Sequence, residues 1–355
     1  MITIIVAFVI VIGILIFVHE FGHFFLAKLM GVGVEKFSLG FGPRIVGRKV
    51  GMTDYRISAL PLGGFVKMVG EEPDAELDDS LIPLSFSHKS LVKRSLIVAA
   101  GPGFNLLLAV AIFFFFFLFS GMPVMEAEVG EVQEDMPALE AGVLSGDRVV
   151  SIDGKPVTRW DEMAGLIQES NGRTIGIEVV RDNRTILLKM TPRLVTSQNL
   201  FGDEIEKYAI GITASGAFRT ERLNALQSAG QGVMQTWEIS KLTVLILGKI
   251  IVGTISAKAI GGPIMIAQLA GQQAEAGMQS YILFMAFLSI NLGLINLVPI
   301  PVLDGGHLMF FLIEAVTRRP VNLRVREVAQ QIGVFVLILL MLFVFYNDIE
   351  RILFN

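Results

Sequence analysis

The chain has no cysteine, only four histidines, and few charges for its size: 17% of its 355 residues are Asp, Glu, Lys or Arg. Without cysteine there is no disulfide framework and no thiolate metal site, so any metal must be held by His, Asp or Glu. With hydrophobic residues at 53% of the total, the composition excludes an ordinary soluble protein of this length. A net charge of −4 offers no basic excess for a phosphate backbone, which argues against a nucleic-acid partner. The N-terminus also lacks the basic stretch of a cleavable signal peptide, so the first apolar segment reads as a retained transmembrane helix.

What is present are long apolar runs. Four spans can be drawn: about Ile2 to Leu29, Ser95 to Phe119, Tyr281 to Val298 and Ile332 to Tyr346. Between the second and third lies a largely polar stretch of roughly 100 residues, long enough for a folded domain. It contains the alternating strand patterns Thr174–Val180 and Thr185–Met190. The stretch Trp237–Gly253 is apolar but interrupted by Glu238, Lys241 and Lys249, and reads as an interfacial helix.

Lysines and arginines near the span ends set an orientation. Lys28, Lys36, Lys89, Lys93 and Arg94 flank the first loop, and Arg318, Arg319, Arg324 and Arg326 fill the third. The second span is followed by Glu126, Glu128, Glu131, Glu134 and Asp135. The first and third loops are therefore expected in the cytoplasm, with both termini and the polar domain outside.

Inside the first apolar run stands His19-Glu20-Phe21-Gly22-His23. On a helix, His19 and His23 share one face at the spacing from which two imidazoles can reach one tetrahedral Zn²⁺. Glu20 projects from a neighbouring direction, where it can activate water instead of ligating. A lone histidine on an apolar face is more often a satisfied core residue. Within hydrocarbon, however, a His-Glu-His cluster is costly and marks a functional site. Counting about 1.5 Å per residue, His19 lies roughly 15 Å from the cytoplasmic end of its helix.

A third ligand is sought near Asn296-Leu-Val-Pro299-Ile-Pro301-Val-Leu-Asp304-Gly305-Gly306. Two prolines two apart stop a helix and open irregular backbone, after which the glycines would let Asp304 swing toward the metal. Two histidines, one aspartate and a water form a catalytic coordination set. The alternative is a helix-terminal Asp ahead of a Gly-Gly turn. His307 has no assigned role.

These two motifs together resemble the site-2 protease family of intramembrane zinc metalloproteases, and within it the bacterial RseP type. The likeness extends along nearly the whole chain, through Gly40-Phe-Gly-Pro43, Tyr55–Met68, Gly101-Pro-Gly-Phe-Asn105 and Gly261-Gly-Pro-Ile264. The resemblance implies one Zn²⁺ per chain held by His19, His23 and Asp304, with Glu20 as the catalytic glutamate. Residues 50–70 read as strands around a Pro-Leu-Gly63-Gly64 turn. In the family this segment is a membrane-associated β-loop whose edge receives the substrate, for which strand addition would replace the backbone bonds lost on unwinding a helix. Asn296, Asn105 and Asn291 are amides in apolar spans; they either join helices or bind the substrate backbone.

Pro137–Gly154, with Ala141-Gly-Val-Leu-Ser-Gly-Asp147-Arg, resembles a bacterial PDZ domain. The space fits one such domain, with Ile210-Gly-Ile212 its candidate carboxylate loop; peptide capture and a steric filter both remain open. The expected fold is thus a polytopic α-helical membrane protein of about four spans, with a β-loop and one extracytoplasmic PDZ-like α+β domain. Its parts would be residues 1–123, a PDZ-like domain at 124–222, an interfacial helical linker at 223–277 and a C-terminal membrane part at 278–355.

The expected activity is zinc-dependent hydrolysis of peptide bonds in the transmembrane segments of single-span proteins, at the bacterial inner membrane. The family suggests anti-sigma factors or remnant signal peptides, pre-trimmed by another protease. One rival is a non-enzymatic PDZ adaptor with a structural metal, to which Glu20 would be useless. The other is a cation transporter, for which the expected inverted repeat is not detectable.

Overall fold

The computed structural model describes residues 2–71, 77–198 and 203–354. It divides into two units, one of Met1–Phe115 with Ala225–Asn355, the other Phe116–Asn224.

The first unit opens with helix α1, Ile2–Leu29. Its buried residues, Ala7, Val11, Leu15, His19, Gly22, His23 and Ala27, recur every three or four positions and form one stripe. The large apolar residues Ile5, Ile10, Ile14 and Phe17 point outward. A water-soluble helix has the opposite arrangement. In lipid the bulky side chains need no protein partner, and small and polar residues make the helix contacts.

Strands β1 (Val34–Val50) and β2 (Thr53–Met68) follow. The chain reverses at Gly51-Met52, not at the Pro-Leu-Gly-Gly segment where the turn was expected. That segment lies inside β2 and bends it at Gly63, whose φ of +116° few other residues adopt. The bend carries residues 64–68 back along β1, so Phe37 pairs with both Tyr55 and Val66. Because β1 and β2 pair only with each other, no strand among the described residues pairs with the outer edge of residues 64–68, where the Met68 amide donates to the Glu71 carboxylate at 3.0 Å. The sheet is anchored by Val34, Phe37, Val66 and Met68, which join Ala27 of α1 and Ile97 in one apolar cluster. Helix α2, Leu91–Ser120, contains Ile97 and leads out of this unit.

The second unit contains β3 (Met122–Met125), β4 (Val129–Val132), α3 (Pro137–Glu140), β5 (Arg148–Ile152), β6 (Lys155–Pro156) and α4 (Trp160–Glu169). Six further strands follow among the described residues: β7 (Ile175–Arg181), β8 (Arg184–Met190), β9 (Arg193–Gln198), β10 (Glu204–Ala209), β11 (Ile212–Ala214) and β12 (Phe218–Glu221). Both alternating segments read from the sequence are strands, β7 and β8, in a four-stranded sheet ordered β6-β5-β7-β8. Alternate residues Ile175, Ile177 and Val179 of β7 enter a core with Val149, Ile152, Met163 and Ile167. Asp147, with 1% of its side chain exposed, accepts Nε and Nη2 of Arg181 at 2.7 and 2.6 Å and the Leu144 amide at 2.9 Å. Burial opposes its ionisation, but the Arg181 guanidinium outweighs it and holds the carboxyl below the usual carboxylate range.

Five helices complete the first unit: α5 (Ala225–Val252), α6 (Pro263–Ala276), α7 (Met278–Asn296), α8 (Asp304–Thr317) and α9 (Leu323–Phe354). Residues 237–252 form the second half of α5, which packs through Gly232 on α2 and through Thr243 on α7, where its hydroxyl donates to Asn291 Oδ1 at 3.3 Å. Among the described residues four helices are long and apolar enough to cross a membrane: Ile2–Leu29, Leu91–Ser120, Met278–Asn296 and Leu323–Leu353. These are the four spans read from the sequence, the second and fourth lengthened at both ends and the third beginning three residues earlier and ending two earlier. Gly261-Gly-Pro-Ile264 precedes and opens α6, where the Asp348 carboxylate accepts the amides of Gly262, Ile264 and Met265 at 2.9–3.1 Å.

Candidate metal centre

Helix α1 holds His19 and His23 one turn apart on its buried stripe. The third member comes from the far end of the chain. Helix α7 stops at Asn296, and Pro299 and Pro301 lack the amides to continue it. Short turns then lead to α8, of which Asp304 is the first residue. Gly305 and Gly306 are helical and not a flexible hinge, which corrects the sequence expectation. A Cβ on Gly305 would strike the Leu297 carbonyl, and one on Gly306 the Ile300 carbonyl. The glycines let α8 begin hard against the preceding loop, and that packing aims Asp304.

The three donor atoms converge. His19 Nε2 lies 3.3 Å from His23 Nε2, and Asp304 Oδ2 lies 3.1 and 3.5 Å from the two. Zinc bonds of about 2.0–2.1 Å in a tetrahedron place neighbouring donors about 3.3 Å apart, so the triangle has the size of one tetrahedral face. Asp304 Oδ2 is enclosed and has no hydrogen-bond partner despite the two nearby nitrogens. A cation between the three lone pairs removes that deficit. His19, His23 and Asp304 form a group that could hold a metal ion, as their pattern led one to expect.

Around this triangle the chain makes room and gives support. The His23 ring donates Nδ1–H to the Ile97 carbonyl at 2.9 Å, which leaves Nε2 free as a ligand. Gly101 of α2 lies against both imidazoles, where any Cβ would collide with the His23 ring. Asn105 lies 3.3 Å from His19 Nδ1 through its side-chain amide.

Glu20 lies outside the triangle, and its carboxylate hydrogen-bonds to the backbone of Val66 on the free-edged segment of β2. Gly64 packs against the Glu20 side chain, while Gly63 sits beside the Phe41 ring. A cavity of about 280 Å³ opens on the triangle and is lined by Glu20, Phe65, Val66, Met68 and Asn296. Of the three candidate amides, only Asn296 reaches it. Asn105 turns toward His19, and Asn291 is engaged by Thr243 and by the Phe287 carbonyl. Three charged or titratable cavity residues had no site role in the sequence reading: Glu71, His307 and Arg326. His307 was findable, being one helical turn beyond Asp304. Arg326 carried only a topology signal, because α9 reaches the cavity through tertiary packing.

Residues 7–340 match Peptidase family M50. The chain belongs to that family. Its members are the site-2 proteases, and the chain is accordingly a zinc metalloprotease embedded in a membrane. A Rhizobium meliloti (strain 1021) protein whose name describes a zinc metalloprotease is 39% identical over 357 residues, covering 97% of this chain and 95% of its own. A Campylobacter jejuni protein with the same kind of name is 35% identical over 347 residues, covering 98% and 93%. The regulator of sigma-W protease RasP of Bacillus subtilis (strain 168) is 30% identical over 423 residues, covering 98% of each chain.

Proposed function

We propose that this M50 protease hydrolyses peptide bonds inside the membrane-spanning segments of single-span membrane proteins, near the cytoplasmic face of a bacterial inner membrane. The observation that carries this reading is Glu20, held beside the His19–His23–Asp304 triangle without joining it. A purely structural metal gains nothing from such a carboxylate, which disfavours the adaptor alternative. In this reading His19, His23 and Asp304 hold one Zn²⁺ per chain. When bound, the zinc supplies a Lewis acid that acidifies water and polarises a carbonyl.

Glu20 takes the proton of the attacking water and passes it to the leaving amine nitrogen, so one carboxylate serves as base and then as acid. The free edge at residues 64–68, reached through the bend at Gly63 and Gly64, pairs with an unwound substrate strand beside Glu20. Asn296, lining the same cavity, hydrogen-bonds the substrate backbone. The basic residues flanking α1, α2 and α9 support a cytoplasm-facing site, with both termini and Phe116–Asn224 outside. That exterior unit acts as a single PDZ-like module, admitting or capturing substrates already trimmed by another protease. RasP is named a regulator of sigma-W, and anti-sigma factors or remnant signal peptides are the substrate classes proposed here.

The test is Glu20→Gln in full-length protein reconstituted with a single-span model substrate. About one zinc per chain should remain while cleavage falls by at least the 10²–10⁴-fold typical of a lost general base. Retained cleavage would sink the mechanism.

A further inference from the structure

A zinc-bound histidine coordinates through one ring nitrogen and needs an acceptor for the N–H on the other, because that bond fixes both tautomer and ring orientation. For His23 the acceptor is plain: the Ile97 carbonyl, 2.9 Å from Nδ1. For His19, Nε2 points into the triangle, so Nδ1 must carry the proton. The polar side-chain group recorded at His19 Nδ1 is the side-chain amide of Asn105, at 3.3 Å.

Asn105 is fully buried, at 0% exposure, and α7 packs against its backbone. Its backbone carbonyl accepts the hydroxyl of Ser289, also fully buried, at 2.7 Å, and Gly293 of α7 lies alongside, where an added Cβ would touch the Asn105 Cβ. As placed, Nδ2 faces His19 and Oδ1 is enclosed without any hydrogen-bond partner. The two ends of a planar amide have nearly the same shape, and their assignment follows the hydrogen-bond network. Turning the amide over sets Oδ1 against Nδ1–H, which supplies the tautomer that a metal on Nε2 requires, and leaves Nδ2 at the position Oδ1 held.

We propose that Asn105 is a positioning residue of the metal centre: its Oδ1 accepts the Nδ1–H of His19, and Ser289 and Gly293 of α7 fix it for that purpose. This rests on the zinc reading above and deepens it. It also separates the three amides of the apolar spans by task. Asn105 acts on the ligand, Asn296 faces the substrate cavity, and Asn291 joins α7 to α5.

The experiment measures zinc affinity of the full-length protein by competition with a chelator, for wild type, His19→Ala, Asn105→Leu and Asn105→Asp, with the thermal midpoint of each metal-free form as a control for folding. Asn105→Leu keeps the volume but removes the acceptor, and should weaken zinc binding 10- to 100-fold. Asn105→Asp keeps the acceptor oxygen and should bind within a few-fold of wild type or more tightly. Unchanged affinity in Asn105→Leu overturns the assignment, as does an Asn105→Asp variant that binds as poorly as Asn105→Leu. Should Asn105→Leu fail to reach the membrane, Asn105→Ser, too short to reach Nδ1, is judged by the same criterion. Failure of wild type to bind zinc more tightly than His19→Ala would instead refute the metal reading itself, so the two failures are distinct.

Discussion

The two units bury polar groups for opposite reasons. In Phe116–Asn224 the core is apolar, and its buried carboxylate, Asp147, has both oxygens partnered by Arg181 and the Leu144 amide. It is architecture, fixing the loop between α3 and β5 to the end of β7. In the other unit the apolar bulk of α1 faces outward, while the buried stripe carries His19 and His23. There the unpartnered buried atoms include Asp304 Oδ2, 3.1 Å from His19 Nε2, and Oδ1 of Asn105, whose Nδ2 faces His19 Nδ1. A saturated buried charge holds a fold together; a converging, unsaturated set awaits a ligand.

The sharpest way to break this contrast is Asp304→Ala. Zinc content of the purified protein should fall from about one per chain to near none, with loss of cleavage; full occupancy would remove Asp304 from the ligand set. Next is Gly101→Val, which drives a branched side chain into the His23 ring while leaving every donor atom in the sequence. Zinc affinity should fall at least tenfold, comparable to the loss of a supporting contact. Normal affinity would show that α2 can retreat from α1.

For the unit Phe116–Asn224, Ile177→Ala empties a site that is 1% exposed and should cost about 2–5 kcal/mol, read from Trp160 fluorescence during urea unfolding in a Trp237→Phe background. Zinc affinity should not move, and a fall would mean that the units are energetically coupled. The smallest effect concerns acid. Hydrogen bonds from the Gly176 amide and Arg173 depress the Asp153 carboxyl, as Arg181 does that of Asp147. A carboxylate whose folded pKa is depressed adds stability above its unfolded value of about 4 and loses it as pH drops through the folded value. Urea midpoints of this unit should be level above about pH 5 and decline below pH 4, with a shallower decline in Asp147→Asn; an acid profile identical to wild type would remove Asp147 as a contributor.

Much of the molecule was legible because its signals are local. The four spans are runs of apolar residues, and each became a helix, the first with unchanged ends and the last about twice as long as its apolar run. The period-two segments became β7 and β8, since alternation along a strand is a property of neighbours in sequence. Local signals misled at Pro61-Leu-Gly-Gly, where turn chemistry served a bend within β2, and at Gly305-Gly306, where apparent flexibility served close packing. Helix α8 was not anticipated, because a segment opening with Asp-Gly-Gly has poor intrinsic helix propensity and depends on packing to form.

The amino-acid sequence by itself determined that this is a membrane-embedded, cysteine-free chain with a His-Glu-x-x-His helix, since composition, hydropathy and four-residue spacing need no knowledge of distant contacts. It could also nominate Asp304. Only the tertiary structure decided that Asp304 Oδ2 completes a triangle of tetrahedral size, that Asn105 serves His19 and not the cavity, and that Arg326, Glu71 and His307 line the same space. Those relations join residues tens to hundreds of positions apart, and they are set by how closely α1, α2, α7 and α8 pack, which no local pattern encodes.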